Sequence, residues 1–359
     1  MLTSGATPTL PFSGMVRMML GGRLSTGPPP GGPMRAQPVN STRRRRAGIC
    51  ARKRMAEGTE RRVSAPPVGP WSRAPRARLT VSAASSILPA VREKSGTAGG
   101  NGGEWFEGWF DETYLELYRH RDEKEALRFV RWLGRFSREA ERGVVDLACG
   151  AGRHAWAMAR EHRWRVTGLD LSRPLLRHAA LEGARGRETA AGGPFPAPRF
   201  IRCDLRSLPV RDGAFGLAVN LFTSFGYFTR DEENLAVLAE MARVLHPGGI
   251  LVIDVPNPGF LRRTLVPRDT FRRGKLRVEQ RRRLTSGGRR VNKEITIWND
   301  SGEKRVITES VRLLYEKELD TWLARCGLHP EGRAGDEEGG GFDPASSPRM
   351  ITWARKPAR

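Results

Sequence analysis

Short apolar runs alternate with amphipathic stretches along the chain from residue 104 onward. The apolar runs are rich in Val, Ile, Leu and Phe, and the stretches between them repeat apolar positions at helical spacing. The first run and the glycine turn after it cover 143–152, and further strands are predicted at 165–170, 200–203, 215–221, 250–255, 311–315 and 350–354. Strands that alternate with helices are typical of a parallel sheet with helices on both faces. The pattern therefore predicts an α/β fold with a doubly wound, seven-stranded, mostly parallel sheet.

Helix signals occupy the gaps between these strands. Helices are predicted over 111–137, 153–163, 231–245 and 316–326. A further helix is expected to begin beside Ser172, because serine is a preferred N-cap and Pro174 follows in the first turn.

A different pattern interrupts the alternation between the fifth and sixth predicted strands. Within 262–309, two stretches with strand character, 276–284 and 291–298, flank a Gly-Gly turn, and a third is expected at 304–308. This pattern predicts a small antiparallel β flap. Such a flap could cover a pocket, form a dimer contact or bind phosphates. It could also be a solvent-exposed sheet edge that charged side chains protect from pairing with other strands.

Residues 1–103 have no apolar periodicity and are rich in Gly, Pro, Ser, Ala and Arg. Such a segment buries too little apolar surface to offset the loss of backbone entropy, so we expect a disordered leader before a single catalytic domain over 104–359. A transit peptide for an organelle and a start codon placed too far upstream both fit this composition. The second is favoured, with a soluble protein in the cytoplasm.

The net charge of +23 is unevenly distributed. The leader holds 17 Lys and Arg against 3 Asp and Glu, and residues 262–305 hold 15 against 5. The rest of the domain is close to neutral. Because the flap is basic, RNA stays an alternative acceptor, although no aromatic RNA-binding motif accompanies the flap.

The four cysteines, Cys50, Cys149, Cys203 and Cys326, form no Cys-x-x-Cys pair. The sequence therefore indicates neither a disulfide framework nor a metal site, and it fits a reducing compartment. The apolar run at 15–20 is too short for a membrane span. The sequence sets no oligomeric state.

The candidate chemistry lies at the first glycine turn. Gly150 and Gly152 allow the backbone to turn sharply near a ligand, and Asp170 ends the next strand twenty residues after Gly150. A carboxylate in that position can accept hydrogen bonds from two ribose hydroxyls. The pairing predicts a site for a nucleotide-containing cofactor.

Four motifs in order extend this prediction to a family. They are Asp146-x-x-x-Gly150-x-Gly152, Asp170, Asp204 before Leu205, and Pro247-Gly248-Gly249. Over roughly 105–357 the chain resembles the class I methyltransferases that use S-adenosylmethionine, which have a Rossmann-like fold. The segment 220–227 resembles the motif after strand four in bacterial methyltransferases of mostly unassigned substrate.

The resemblance implies a role for each matched position. Asp146 and the backbone of Ala148 to Gly152 would meet the methionine end of S-adenosylmethionine, and Asp170 would meet its ribose. Leu171 would cover one adenine face, Asp204 and the Leu205 backbone would meet the adenine edge, and Asn220 would face the methionine amino group.

Methyl transfer is an in-line displacement from an activated donor, so positioning of the acceptor supplies much of the rate and a general base is optional. The candidate residues on the acceptor side are Asn220, Tyr227, Tyr118 and His120. His120 is the one that titrates near neutral pH. Tyr118 fits a packing role on its helix equally well, and His120 fits a solvated position.

Two alternatives stay open. Gly150-x-Gly152-x-x-Ala155 also satisfies the dinucleotide fingerprint of an NAD-dependent oxidoreductase, but Asp146 and the Pro-Gly-Gly turn favour a methyltransferase. Transfer to N or O of a small-molecule acceptor is the favoured function, with RNA or protein as the alternative acceptor and a cofactor-binding protein without activity as a third class.

Overall fold

The structure, a computed structural model, describes residues 104–118, 123–186 and 194–358. The predicted leader 1–103 and the candidate His120 lie outside these residues. Among the described helices, none combines the length and the apolar character that crossing a membrane requires.

Helices and strands alternate along the described chain. The helices are α1 (Glu112–Leu117), α2 (Glu123–Leu133), α3 (Ser137–Ala140), α4 (Arg153–His162), α5 (Arg173–Gly186), α6 (Asp231–Val244), α7 (Pro258–Thr264) and α8 (Glu316–Arg325). The strands are β1 (Val144–Leu147), β2 (Val166–Asp170), β3 (Arg199–Arg202), β4 (Phe215–Asn220), β5 (Leu245–Pro256), β6 (Arg268–Arg273), β7 (Leu276–Thr285), β8 (Arg290–Trp298), β9 (Lys304–Arg312), β10 (His329–Ala334) and β11 (Arg349–Arg355). Short 3₁₀ turns cover Gly134–Phe136 and Ser286–Gly288.

The main sheet has seven strands in the order β10-β11-β5-β4-β1-β2-β3. Strands β3, β2, β1, β4 and β5 are parallel, while β11 runs antiparallel to β5 and to β10. The predicted fold class is confirmed. The strand order reverses between β1 and β4, and ligands of such sheets bind outside the carboxyl ends of the strands at this point.

The sixth strand of the main sheet was misplaced by the sequence prediction. Residues 311–315 overlap the end of β9, which belongs to the second sheet, and the sixth main-sheet strand is β10. β10 reads His-Pro-Glu-Gly-Arg-Ala and is an exposed edge strand, so it lacks the apolar pattern used to find strands. Leu313 and Leu314 are buried although they lie outside any strand.

The predicted helix 111–137 is divided. α1 ends at Leu117, α2 begins at Glu123, and Gly134 opens a 3₁₀ turn before α3. The N-cap of α1 is Asp111, whose carboxylate accepts from the backbone N of Thr113 at 3.0 Å.

The predicted β flap is a separate antiparallel sheet in the order β6-β7-β8-β9. β6 was missed because Phe271 is its single large apolar residue. Leu117 and Tyr118 pack on the apolar face of this sheet against Val278 and Ile295. The indole N–H of Trp109 donates to Glu309 Oε1 at 2.7 Å and joins the segment 104–118 to the sheet.

Candidate active site

A cavity of about 1180 Å³ opens at the carboxyl ends of β1, β2 and β4. Nine residues predicted for the site line it: Tyr118, Asp146, Ala148, Gly150, Asp170, Leu171, Asp204, Leu205 and Tyr227. The segment 104–118 forms another part of the wall through Phe106, Phe110 and Tyr114. Residues far apart in the sequence therefore meet at the edge of the sheet where the motifs placed them.

The glycine turn after β1 requires a left-handed backbone at three positions. Ala148, Gly150 and Gly152 all have positive φ, at 59°, 55° and 77°. A Cβ on Gly152 would stand 2.8 Å from Ala179 Cβ and 2.9 Å from Phe200 Cζ. Gly152 therefore serves the packing of α4 on its neighbours and lies outside the cavity lining.

Replacing Gly152 by alanine should lower the free energy of unfolding by about 2–4 kcal/mol, because the new methyl meets both a strained φ and two fixed side chains. Gly248→Ala is the matched control, since Gly248 has φ +83° with no atom within 4 Å of its Cβ position. Urea unfolding of both variants separates the clash from the strain. Equal losses would show that packing at Gly152 contributes nothing.

Asp170 ends β2 with both carboxylate oxygens bonded to backbone. Oδ2 accepts from Gly150 N at 2.7 Å and Oδ1 accepts from Ser172 N at 2.8 Å. Burial raises the pKa of Asp170, and these backbone donors act in the opposite direction. Each oxygen keeps a further lone pair, so the carboxylate can accept two hydroxyl groups while it holds the glycine turn.

Asp146 at the end of β1 has a buried oxygen without a partner. The residue is 2% exposed, lines the cavity, and its Oδ2 has no hydrogen bond. Burial, followed by the nearby Asp170, raises the pKa of Asp146 to about 8, while Arg153 lowers it. A buried polar atom left unpaired in a cavity wall is costly unless a ligand supplies the donor. The residues present thus fit a cofactor that carries a cationic donor.

Asp204 also lines the cavity, but its carboxylate is engaged. The guanidinium of Arg206 approaches Oδ2 at 2.7 Å and also pairs with Glu233 at 2.8 Å. Partial burial raises the pKa of Asp204, yet the hydrogen bonds from Arg206 outweigh burial and leave the pKa lowered. The carboxylate therefore stays ionised and fixes the turn after β3.

Asn220 lies beneath the cavity and not on its surface. It is 0% exposed, and its Nδ2 donates to the Leu147 carbonyl at 2.9 Å, which ties the end of β4 to the end of β1. Its Oδ1 is buried without a hydrogen bond.

The two tyrosines proposed as acceptor contacts lie among other aromatic rings. Tyr227 stacks on Phe110 with ring centroids 6.1 Å apart and planes 12° apart, and it contacts Trp105 at 4.8 Å. Tyr118 meets Tyr114 edge to face at 4.6 Å. These rings make the part of the cavity wall that they form largely apolar.

Arg153 and His154 line the cavity and were missed by the sequence analysis. Arg153 forms an ion pair with Glu125 at 3.2 Å, and His154 is buried. Both directly follow Gly152, so their position at the start of α4 was the available signal. Their contacts with Phe222, at 4.6 Å for the Arg153 guanidinium and 6.2 Å for the His154 ring, come from tertiary structure.

Comparison with known proteins decides between the nucleotide-binding families that such a cavity fits. Residues 144–249, from β1 into the turn of β5, match the family described as methyltransferase domain. This stretch of the protein is a methyltransferase domain. The match sets aside the nicotinamide interpretation of the glycine turn.

Relatives of known name match stretches of comparable or greater length. YqeM of Bacillus subtilis (strain 168), named as a methyltransferase, is 29% identical over 162 residues, which are 45% of this chain and 60% of YqeM. The dTDP-3-amino-3,4,6-trideoxy-alpha-D-glucopyranose N,N-dimethyltransferase of Streptomyces venezuelae is 32% identical over 111 residues, 31% of this chain and 41% of that enzyme. The chain thus spans less than two thirds of either relative.

The fold of the methyltransferase domain and its second sheet also has a solved counterpart. The CcbJ methyltransferase from Streptomyces caelestis superposes with a TM-score of 0.58 at 17% identity and covers 70% of this chain and 99% of its own. At this identity the likeness concerns the fold.

Proposed function

We propose that the protein transfers a methyl group from S-adenosylmethionine to a nitrogen or oxygen of a small-molecule acceptor. The observation that carries the proposal is the buried, unpaired Oδ2 of Asp146 in the same cavity as Asp170. The cavity of about 1180 Å³ exceeds the roughly 300–1,000 Å³ of a usual ligand pocket, so it has room for a cosubstrate and an acceptor together.

The cosubstrate supplies a methyl group already activated on a sulfonium. In this proposal Asp146 accepts a hydrogen bond from its ammonium group, and the neighbouring Arg153 pairs with its carboxylate. Asp170 accepts the two ribose hydroxyls while Gly150 N and Ser172 N hold the carboxylate in place.

The adenine end belongs to Leu171, Leu205 and the turn at Asp204, all of which line the cavity. Because Arg206 engages the Asp204 carboxylate, we assign Asp204 to shaping this turn, with one lone pair left for the adenine edge. Asn220 acts from beneath, by orienting the carbonyl of Leu147.

The acceptor end belongs to the aromatic wall formed by Phe106, Phe110, Tyr118 and Tyr227. Such a wall excludes water and aligns the acceptor atom with the methyl group, and alignment of this kind is worth roughly 7–11 kcal/mol in favourable cases. The Streptomyces venezuelae relative is named for N-methylation of an amino sugar, which supports an amine of sugar-nucleotide size as the first acceptor class to test.

His154 is the described cavity residue best suited to accept a proton from the acceptor. It is buried in the cavity wall, whereas His178 is half exposed beside Glu182. We expect His154→Asn to lower kcat by about 10²-fold or more, as general-base catalysis contributes roughly 10²–10⁴-fold. The Kd of S-adenosylmethionine should stay within threefold. An unchanged kcat would remove His154 from proton transfer.

The ion pairs of the flap arginines give little support to RNA as the acceptor. Arg268 and Arg281 both pair with Glu279, at 2.9 and 2.7 Å, and the buried Arg282 pairs with Asp269 at 2.8 Å. Three of the 15 basic side chains of 262–305 are therefore engaged within the sheet and less available to phosphates, while the net charge of the segment is unchanged.

The test is methyl transfer from labelled S-adenosylmethionine to a panel of sugar-nucleotide amines, small amines and phenols, with bulk tRNA and a basic protein as competing classes. Transfer to a small molecule, weakened at least tenfold in Asp146→Asn at limiting S-adenosylmethionine, supports the proposal. Transfer confined to tRNA or protein contradicts it. The reaction belongs in the cytoplasm, in keeping with the free thiols of Cys149, Cys203 and Cys326.

A further inference from the structure

Two consecutive residues after β4 have a left-handed backbone although neither is glycine. Phe222 has φ 62° and Thr223 has φ 63°. This conformation is strained for any side chain, and a β-branched threonine is among the least compatible. A conformation of this kind persists where surrounding groups hold it.

The groups that hold the turn come from Asp254 on β5 and Arg349 on β11. Asp254 Oδ2 accepts from Phe222 N at 2.7 Å, and the Asp254 carbonyl accepts from Thr223 N at 3.0 Å. Arg349 Nε donates to Asp254 Oδ1, and its Nη2 donates to Thr223 Oγ1 at 3.3 Å. One ion pair thus meets both strained residues.

The Asp254–Arg349 pair is itself almost fully enclosed, with exposures of 0% and 1%. Antiparallel pairing of β5 with β11 aligns Asp254 with Ile351 and Pro256 with Arg349. Because a buried ion pair rarely adds more stability than apolar residues of the same volume, net stability is a weak explanation for this pair. The hydrogen bonds that the pair makes to the turn are a more specific explanation.

The turn is also part of the cavity wall. Phe222 lines the cavity, and its ring lies 4.6 Å from the Arg153 guanidinium and 5.7 Å from that of Arg349. A change in the backbone at 222–223 would move this ring together with the segment that carries Tyr227.

We propose that Asp254 and Arg349 are positioning residues, which hold the strained Phe222–Thr223 turn so that the segment after β4 forms the acceptor wall. The role in acceptor placement rests on the proposed function, while the role in holding the turn does not. Neither residue touches the reacting atoms.

Hydrogen exchange of the full chain tests the first role without any acceptor. In Asp254→Asn and in Arg349→Lys, the Phe222 and Thr223 amides should exchange at least tenfold faster, while β1 and β2 keep their protection. Glu139→Gln is the matched control, because Glu139 pairs with Arg355 on the same strand β11 at 2.9 Å. Unchanged exchange at 222–223, or a uniform rise that the control shares, would overturn the proposal.

Kinetics with the acceptor that the panel identifies test the second role. The kcat/KM for the acceptor should fall at least thirtyfold in Asp254→Asn, and the Kd of S-adenosylmethionine should change less than threefold. Adding Thr223→Gly should recover at least fivefold, since glycine adopts this φ without strain. If kcat/KM for the acceptor and the affinity for S-adenosylmethionine fall by the same factor, or if Thr223→Gly recovers no activity, acceptor positioning is contradicted. If no acceptor is found, the proposed function fails separately, and the exchange result alone decides whether the pair holds the turn.

Discussion

Replacing Asp146 by asparagine should stabilise the free protein and at the same time remove most of its affinity for S-adenosylmethionine. Burial raises the pKa of this carboxyl from 3.8 to about 8. Between these values the folded protein holds a proton that the unfolded chain has lost, so the contribution of Asp146 to stability falls as pH rises from about 4 to about 8. An asparagine has no such titration.

The expected gain for Asp146→Asn at pH 7.5 is about 1–3 kcal/mol, because the substitution removes the loss of stability that the raised pKa of Asp146 causes as pH rises towards 8. The expected loss in affinity is about 10- to 150-fold, since a charged hydrogen bond contributes roughly 1.5–3 kcal/mol. Thermal unfolding from pH 5 to 8.5 measures the first effect, and calorimetric titration measures the second.

Asp204→Asn is the control for this pair of effects, because Asp204 lines the same cavity but its carboxylate is already bonded to Arg206. It should not stabilise the protein. Calorimetry in buffers of different ionisation enthalpy adds an independent readout: near pH 7 the parent protein should release a proton from Asp146 when S-adenosylmethionine binds, and Asp146→Asn should not. Binding without proton release in the parent would contradict a direct contact between Asp146 and the ammonium group.

Replacing Asp170 by alanine should lower the affinity for S-adenosylmethionine at least 10²-fold. Two charged hydrogen bonds to ribose hydroxyls are lost, each worth roughly 1.5–3 kcal/mol. The Gly150 N–H also loses the acceptor that fixes the glycine turn, which adds to the effect.

A ligand lacking one hydroxyl separates these two contributions. The parent should bind S-adenosylhomocysteine at least tenfold more tightly than its 2′-deoxy form, and Asp170→Ala should bind the two forms alike. If the variant still discriminates between them, another residue recognises the ribose.

Much of the sheet was predictable because its central strands are buried on both faces and read as apolar runs. The pairing of Gly150 with Asp170 was also predictable, since a strand, a turn and a second strand fix that geometry locally. β10 was not, because an exposed edge strand of His, Pro, Glu and Gly carries no apolar signal. Sequence spacing alone therefore counted the strands correctly and misplaced one of them.

The acceptor half of the site was less predictable, for a physical reason. Asn220 ends β4 as expected, but its direction toward Leu147 depends on how β4 pairs with β1. The contacts of Asp254 with Phe222 and of Arg349 with Thr223 join residues 32 and 126 positions apart, and no local pattern encodes them.

Calorimetric titration of the full chain with S-adenosylmethionine and, separately, with NAD tests the central claim most directly, with Asp146→Asn and Asp170→Ala measured beside it. The account predicts that S-adenosylmethionine binds at a single site, that both substitutions weaken it at least tenfold, and that NAD gives no heat of binding. Binding of NAD, or equal affinity of S-adenosylmethionine for the parent and both variants, would contradict it.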